Sequence, residues 1–377
     1  MIFLLLVLVT AAAYQLVVLT AALRQLARRE ATAKSLPPIS ILKPVRGADP
    51  HFREAIHSHA TQDYPDFEII FGVADLSDPA VEEVRRLIAE FPQRRIRLVI
   101  STTQAANRKV GVLIDLAREA RYPLLLVNDG DITVPAGYLQ GIVGPLEDPN
   151  VGLLTCIYGA RSDHWPGRWE ALGIATEFAS SVLAAPLVGV REFGMGATLL
   201  FRAADLKAMG GYEAVADYLA DDYQLARHIA RLGRRIVISK VTVDTFLSGR
   251  TWSEVWRHQV RWARTIRVSE LSGYIGLVLS NTTLWSIVAL AAGAWWAAAP
   301  LLILRVSAGM LVGAGVLRSK DVMRYFYLIP LRDLWGTAVW FCGLFGNTVE
   351  WRGARLRLSA DGRINTIGIE GFRDSGI

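Results

Sequence analysis

From Met1 to Leu23 the chain runs MIFLLLVLVTAAAYQLVVLTAAL without a charged residue. An uncharged apolar run of that length predicts a helix that crosses a bilayer. It has neither the basic start nor the short apolar core of a cleaved leader. Arg24, Arg28, Arg29 and Lys34 follow at once, and basic residues beside a span mark its cytoplasmic end, so the next domain is expected in the cytoplasm. Pro37-Pro38 stops the helix. Beyond it, short β-rich runs alternate with amphipathic stretches. ISILKPV, FEIIFGV, IRLVIS, YPLLLVN and VGLLTCIYG predict strands, with helices over 79–91 and 108–120. That alternation implies an α/β domain built on a parallel, doubly wound sheet, in which ligands bind outside the carboxyl ends of the strands.

A change of character at residue 251 marks the end of that domain. In TWSEVWRHQVRWARTIRVSEL, Trp252, Trp256, Val260 and Ala263 recur at helical spacing beside Arg257, Arg261, Arg264 and Arg267. Such an aromatic stripe edged with arginine suits a helix lying among lipid headgroups. Residues 273–317 carry one charge, Arg305, and 325–346 is apolar apart from Arg332 and Asp333. The expected organisation is therefore a membrane helix over 1–24, an α/β domain over 36–250, an interfacial helix over 251–272, a membrane region over 273–346 and a cytoplasmic tail over 347–377. In the tail, WRGARLRL predicts a short strand, and Arg352, Arg355, Arg357 and Arg363 place it inside. An even number of crossings is then needed between domain and tail. Two are expected within 274–317, with 325–346 a cytoplasm-side excursion that keeps Arg332 and Asp333 wet, because a charge at mid-membrane costs about 2.5–3.5 kcal/mol.

Composition agrees with this division. Hydrophobic residues reach 52%, above the roughly 45–50% of a soluble protein, and the excess lies in the segments just named. The net charge of +6 comes from arginines that border apolar segments, which favours anionic lipid over nucleic acid as the partner. Cys156 and Cys342 stand far apart in apolar surroundings and offer no disulfide framework or metal-ligand spacing.

The chemistry gathers where strands end. Asp75 follows FEIIFGV, and LLLV runs into Asn128, Asp129, Gly130 and Asp131. Alone, Asp-Gly-Asp is compatible with a plain turn. At a strand end, it also suits a divalent cation, Mg²⁺ or Mn²⁺, shared between hard carboxylate oxygens and a diphosphate. LADDYQLARHIARLG places Asp221 and Asp222 at the start of a helix, where they either cap it or serve as a carboxylate that takes a proton. Arg261 and Trp262 in RHQVRWAR bring a guanidinium and an indole suited to a diphosphate. Lys43 and Lys109 are candidate nucleotide contacts or ordinary surface charges. Gly194 and Gly196, in FGMGATLLF, let backbone come close to a ligand or form a turn.

In this order of motifs the chain resembles the ceramide glucosyltransferase family of membrane-bound, inverting GT-A enzymes, which includes a bacterial branch associated with hopanoid lipids. Asp75 in VADLSDPA, Asp129 in NDGD, Asp222 in ADDY and Arg261-Trp262 match that family's Asp, Asp, Asp and (Gln/Arg)-x-x-Arg-Trp pattern. ISILKPVRGADP, QDYPDFEI, GMGATLLFR and TVEWRGARLRL extend the likeness over residues 39–358. One position departs: His258 stands where the family has Gln or Arg, and it can still donate a hydrogen bond. The resemblance implies a UDP-sugar donor carrying glucose or N-acetylglucosamine, and a membrane lipid acceptor, ceramide or hopanoid. It assigns Asp75 to the uracil or ribose, Asp129 and Asp131 to the metal and diphosphate, Asp222 to the general base, and Arg261 and Trp262 to the leaving UDP. Processive polysaccharide synthases, polyprenyl-phosphate sugar transferases and a non-catalytic lipid- or nucleotide-sugar-binding protein are the alternatives. An integral protein of the inner membrane, with its catalytic domain facing the cytoplasm, is expected.

Overall fold

The computed structural model describes residues 2–29, 33–351 and 354–366. Arg352 of the expected tail strand, and the tail beyond residue 366, lie outside them. Strands β1 (Ile39–Pro44), β2 (Phe67–Val73), β3 (Arg95–Ile100) and β4 (Leu124–Val127) pair in parallel in the order β3-β2-β1-β4. β1, β2 and β4 are buried throughout, as expected of strands covered on both faces. Helices Ala80–Glu90 and Arg108–Glu119 connect them close to the expected bounds.

The sheet is not parallel throughout. After β5 (Ile132–Thr133), β6 (Val151–Thr155) and β7 (Tyr158–Arg161), β8 (Leu199–Arg202) enters antiparallel between β4 and β6, and β9 (Arg235–Ile238) closes the far edge. The run VGLLTCIYG, expected as one strand, breaks into β6 and β7. β7 leaves for a second sheet of order β5-β10-β7, with β10 at Val243–Phe246. Both carboxyl-end loops of interest, after β2 and after β4, open on one sheet edge with β1 between them.

Between β7 and β8 the chain leaves the sheet in the helix Trp165–Val188, one of three long and apolar enough to cross a membrane among the described residues. The others are Ile2–Ala27 and Trp295–Val316. The expected span near 274–296 is instead the helix pair Leu271–Ser280 and Thr282–Ala291, bent by 49°. Asn281 sits at the bend, its side chain accepting from the Leu284 N–H and donating to Thr337 and to the Asp333 carbonyl. The 325–346 stretch forms the helix Ile329–Gly343. Its 15 residues extend about 22 Å at 1.5 Å each, short of the roughly 30 Å hydrocarbon core.

Arg332 and Asp333 correct the sequence reading: they are buried, not wet. Asp333 takes a two-pronged contact from Arg305, at 2.9 and 2.6 Å, and a bond from the Thr283 hydroxyl. Arg332 lies 3.2 Å from Glu177 and donates to Gln259. For Asp333, pairing removes the need for water, because opposite charges in a low-dielectric interior satisfy one another when hydrogen-bonded.

The membrane helices are tied to the α/β domain. Gln25 and Arg28 donate to the carbonyls of Ser239 and Ile238 at the end of β9. The helix Trp252–Ser269 begins with a reciprocal Thr251–Glu254 cap and holds the tail through Arg264, which donates to the Phe345 and Thr348 carbonyls. The tail strands β11 (Thr348–Trp351), β12 (Ala354–Leu358) and β13 (Ile364–Thr366) form a sheet of their own. Its Arg363 pairs with Tyr218, and the Ile364 N–H bonds the Asp217 carbonyl.

Breaking a buried ion pair by removing one partner costs about 3–5 kcal/mol. Asp333→Ala is therefore expected to lower the thermal midpoint of the detergent-solubilised protein sharply. Substitution of the exposed Arg86, which pairs with Glu82 on the surface, should leave it within a degree or two, as surface pairs contribute about 0–1 kcal/mol.

Candidate functional site at the sheet edge

Three segments meet where β4 ends. The first is the strand end itself. Asn128 is buried and donates to the Tyr138 hydroxyl and the Ala197 carbonyl, so the chain is anchored before it turns outward. Asp129 follows, its N–H bonded to the Gly196 carbonyl. Asp131 accepts from the Thr245 hydroxyl of β10 at 2.7 Å, which fixes the far end of the turn.

The second is the tight turn before β8. Gly196 donates its N–H to Asp222 Oδ2 at 2.8 Å while its carbonyl holds the Asp129 N–H at 3.0 Å. The backbone of one residue thus couples the two carboxylate-bearing loops. A Cβ at this position would lie 2.6 Å from Asp129 Oδ2, so any other residue would push that carboxylate aside. The turn reading and the close-approach reading of Gly196 therefore coincide, with the approach made to a carboxylate. The missing Cβ of Gly194 makes room instead for Leu199, at 2.6 Å.

The third is the start of the helix Asp221–Arg231. The residue before it is Ala220, with no side-chain cap, so neither aspartate caps the helix. Both lie in its first turn, where the positive end of the helix dipole favours a carboxylate. Asp222 Oδ1 accepts the Tyr223 N–H. Even so, burial, then the charges of Asp221 and Asp129, raise the Asp222 carboxyl to about 6, against the opposing pull of Lys109.

Lys109 supplies the counter-charge. Asn107 caps its helix, accepting from the Lys109 and Val110 N–H groups, and also binds the Tyr218 carbonyl. The ammonium then stands 2.8 Å from Asp129 and 3.1 Å from Asp221, and despite burial these carboxylates keep its pKa raised. It reaches the site as a partner of the protein's own acids. Lys43 does not reach the site surface: it is fully buried, and its Nζ meets the Asp129 carbonyl at 3.2 Å and His59 at 3.4 Å. Burial pulls its pKa down to about 7. The expectation of a nucleotide contact is corrected to a brace beneath the Asp129 turn. Asp75 is exposed in the loop after β2, one of its oxygens held by the Ser77 N–H at 2.8 Å, with β1 separating it from Asp129.

On the membrane side, the His258 and Trp262 rings meet at 4.6 Å, tilted by 54°, Trp262 lies 5.9 Å from Phe178, and Phe178 5.3 Å from Tyr158. Arg261 belongs to the same helix and adds positive charge beside His258. His258 is held by the buried Glu170, which also binds Arg250 at 2.7 Å. Burial lowers the His258 pKa, and Glu170 opposes that shift. Glu170 escaped the sequence reading; its one signal was a carboxylate inside the apolar stretch WEALGIATEF. Tyr158 escaped it as well. Its phenol is pushed up by burial and by the nearby charges of Asp129, Asp222, Glu170 and Asp131, which places it between the two acidic groups.

A divalent cation can be tested against this donor set. Among the described residues no group of three or more His, Cys, Asp or Glu is arranged to hold a metal. Asp129 and Asp131 provide two carboxylates, and that suits an ion such as Mg²⁺, which is bound through one or two carboxylates plus substrate phosphates.

Comparisons with known proteins agree with this arrangement. The sequence profile of glycosyl transferase family 21 matches residues 3–364. Ceramide glucosyltransferase 3 of Caenorhabditis elegans is 25% identical over 352 residues, covering 88% of this chain and 74% of that protein. Ceramide glucosyltransferase 1 of the same organism is 28% identical over 208 residues, but the match covers 54% of this chain and 44% of that protein's length. A mannosyltransferase from Pyrobaculum calidifontis, solved with GDP-Man and Mn²⁺, superposes with a TM-score of 0.53 at 21% identity, over 90% of this chain and 97% of its own. That likeness shows the fold, GT-A. The chain belongs to glycosyl transferase family 21.

Proposed function

We propose that the protein is a membrane glycosyltransferase that moves one sugar, glucose or N-acetylglucosamine, from a UDP-sugar to a hydroxyl of a membrane lipid, ceramide or hopanoid, with inversion. The observation that carries this reading is the Gly196 backbone, whose N–H bonds Asp222 and whose carbonyl bonds the Asp129 N–H. A proton acceptor and a diphosphate-side carboxylate are thereby held in fixed relation, which is what a single displacement needs.

In this reading the uridine lies across the end of β1, with Asp75 on its uracil or ribose. Asp129 and Asp131 would hold a divalent cation, which offsets charge on the diphosphate when bound. Asp222, half-buried and raised to about 6, takes the proton of the acceptor hydroxyl as that oxygen bonds the anomeric carbon. The bond to the diphosphate oxygen breaks on the opposite face, and its electron pair leaves with UDP. Arg261 and Trp262 steady the leaving group. His258 keeps its ring in place through Glu170, so it supports Trp262 by ring contact. The Glu170–Arg250 pair leaves no requirement for Gln at position 258. The relatives named for ceramide glucosylation and the apolar helices around Trp262 support a lipid acceptor. The basic residues after Ala27 support a catalytic domain facing the cytoplasm of an inner membrane.

Asp222→Asn is expected to retain UDP-sugar binding and to lose about 10²-fold or more in turnover, the usual weight of a general base. A variant turning over near the wild-type rate removes Asp222 from the mechanism. Because the base must be ionised, kcat/KM should fall as pH drops through about 6 and level off above it; a flat acid limb counts against it. Chelation of divalent ions should abolish transfer, and Asp131→Ala should weaken UDP binding only when Mg²⁺ or Mn²⁺ is present. Mass spectrometry of lipids from cells with and without the protein identifies the acceptor and shows whether one sugar is added.

A further inference from the structure

The helix Trp165–Val188 is apolar enough to cross a membrane, yet it carries Glu177 with 46% of its side-chain surface accessible. An ionisable residue on such a helix marks a functional site unless it is fully paired. Glu177 lies in a turn of this helix, Ile174–Phe178, that is wound as a π-helix, a local widening that is frequent at functional sites.

Its partner is short of bonds. Arg332 is buried and its Nη1 stands 3.2 Å from Glu177, but neither Nη1 nor Nε makes a hydrogen bond among the described residues. Gln259 is buried too; its Oε1 accepts from Arg332 and Trp335 while its Nε2 has no partner. Unmet buried donors cost about 1–3 kcal/mol each, so a ligand oxygen here removes a standing penalty. Two glycines let these side chains lie against the backbone. A Cβ on Gly336 would lie 2.6 Å from Glu177 Oε1, and one on Gly173 would overlap the Arg332 guanidinium.

The next residue, Phe178, touches both Trp262 and Tyr158, and Tyr158 lies within the field of the Asp129 and Asp222 charges. The cluster therefore adjoins the catalytic wall on its membrane side. We infer that Glu177, Arg332 and Gln259 seat the polar head of the lipid acceptor. Glu177 accepts from an amide N–H or a second hydroxyl, and the unmet donors bind an amide or hydroxyl oxygen. The inference rests on the proposed transfer to a lipid and specifies its acceptor: an amphiphile with at least one donor and one acceptor besides the reacting hydroxyl. A lipid alcohol with nothing else in its head leaves these groups unsatisfied.

The full chain in vesicles is assayed with UDP-glucose and UDP-N-acetylglucosamine against ceramide, a polyhydroxylated hopanoid and a long-chain alcohol bearing a single hydroxyl. Wild type is expected to favour at least one of the two polar-headed lipids over the simple alcohol. Glu177→Gln, which keeps the shape and removes the charge, is expected to raise the KM of that lipid about tenfold, the order of one charge-assisted hydrogen bond. Its preference over the simple alcohol should collapse, with kcat and the donor KM within about threefold. Gly336→Ala, which presses on the carboxylate, should act in the same direction. An unchanged acceptor KM in both variants overturns the inference, as does a parallel loss of donor binding, which makes Glu177 structural. Wild-type protein that transfers to none of the three lipids removes the lipid-transfer reading itself and the inference with it, an outcome distinct from normal wild-type transfer with unaltered variants.

Discussion

Carboxylates repel, and here Asp129, Asp221 and Asp222 are brought to one sheet edge with limited access to water. Everything around them answers that constraint. Lys109 stands between Asp129 and Asp221, at the start of a helix whose cap, Asn107, also grips the segment before Asp221. Asp222 has no such cation in contact, so burial and its neighbours raise it to about 6. The unequal compensation is what sets the carboxylates apart: Asp129 and Asp221 share the Lys109 ammonium, and Asp222 lies beside them without that contact among the described residues. Lys43, buried below the turn, meets only the Asp129 carbonyl and His59, and its own charge is weakened by that burial.

The same physics recurs in the apolar part of the chain. Arg305 and Asp333 join the helices Trp295–Val316 and Ile329–Gly343, and Thr283 completes the acceptor's bonds. A pair so enclosed fixes register between elements that otherwise slide over one another, since apolar contacts alone are non-directional. Arg332 and Glu177 make a looser version, with donors left over. The contrast separates a cluster that holds the structure together from one left with capacity to bind.

The helix Trp165–Val188 joins the two regions. It carries Glu170 under His258, Phe178 against Trp262, and Glu177 against Arg332. It also packs on the first helix, with Val182, Leu183 and Ala184 sharing a core with Val18, Ala21 and Ala22. The α/β domain and the apolar helices are for this reason a continuous piece of packing, and the tail sheet closes it by binding Asp217 and Tyr218 just ahead of Asp221 and Asp222.

Local pattern was enough for the strands that are buried on both faces, for the helices between them and for the first membrane helix, because each is written in a short run of residues with one periodicity. The motif order also singled out Asp129 and Asp222, which the Gly196 backbone joins at one edge. What no local pattern contains is the pairing of segments far apart in sequence. The antiparallel entry of β8, the split of VGLLTCIYG between two sheets, and the burial of Lys43 all follow from which strand lies beside which. Arg332 and Asp333 look like residues that need water until Glu177 and Arg305 are seen opposite them. A charge in a sequence has a type and a position; its cost is decided by the partner that folding delivers.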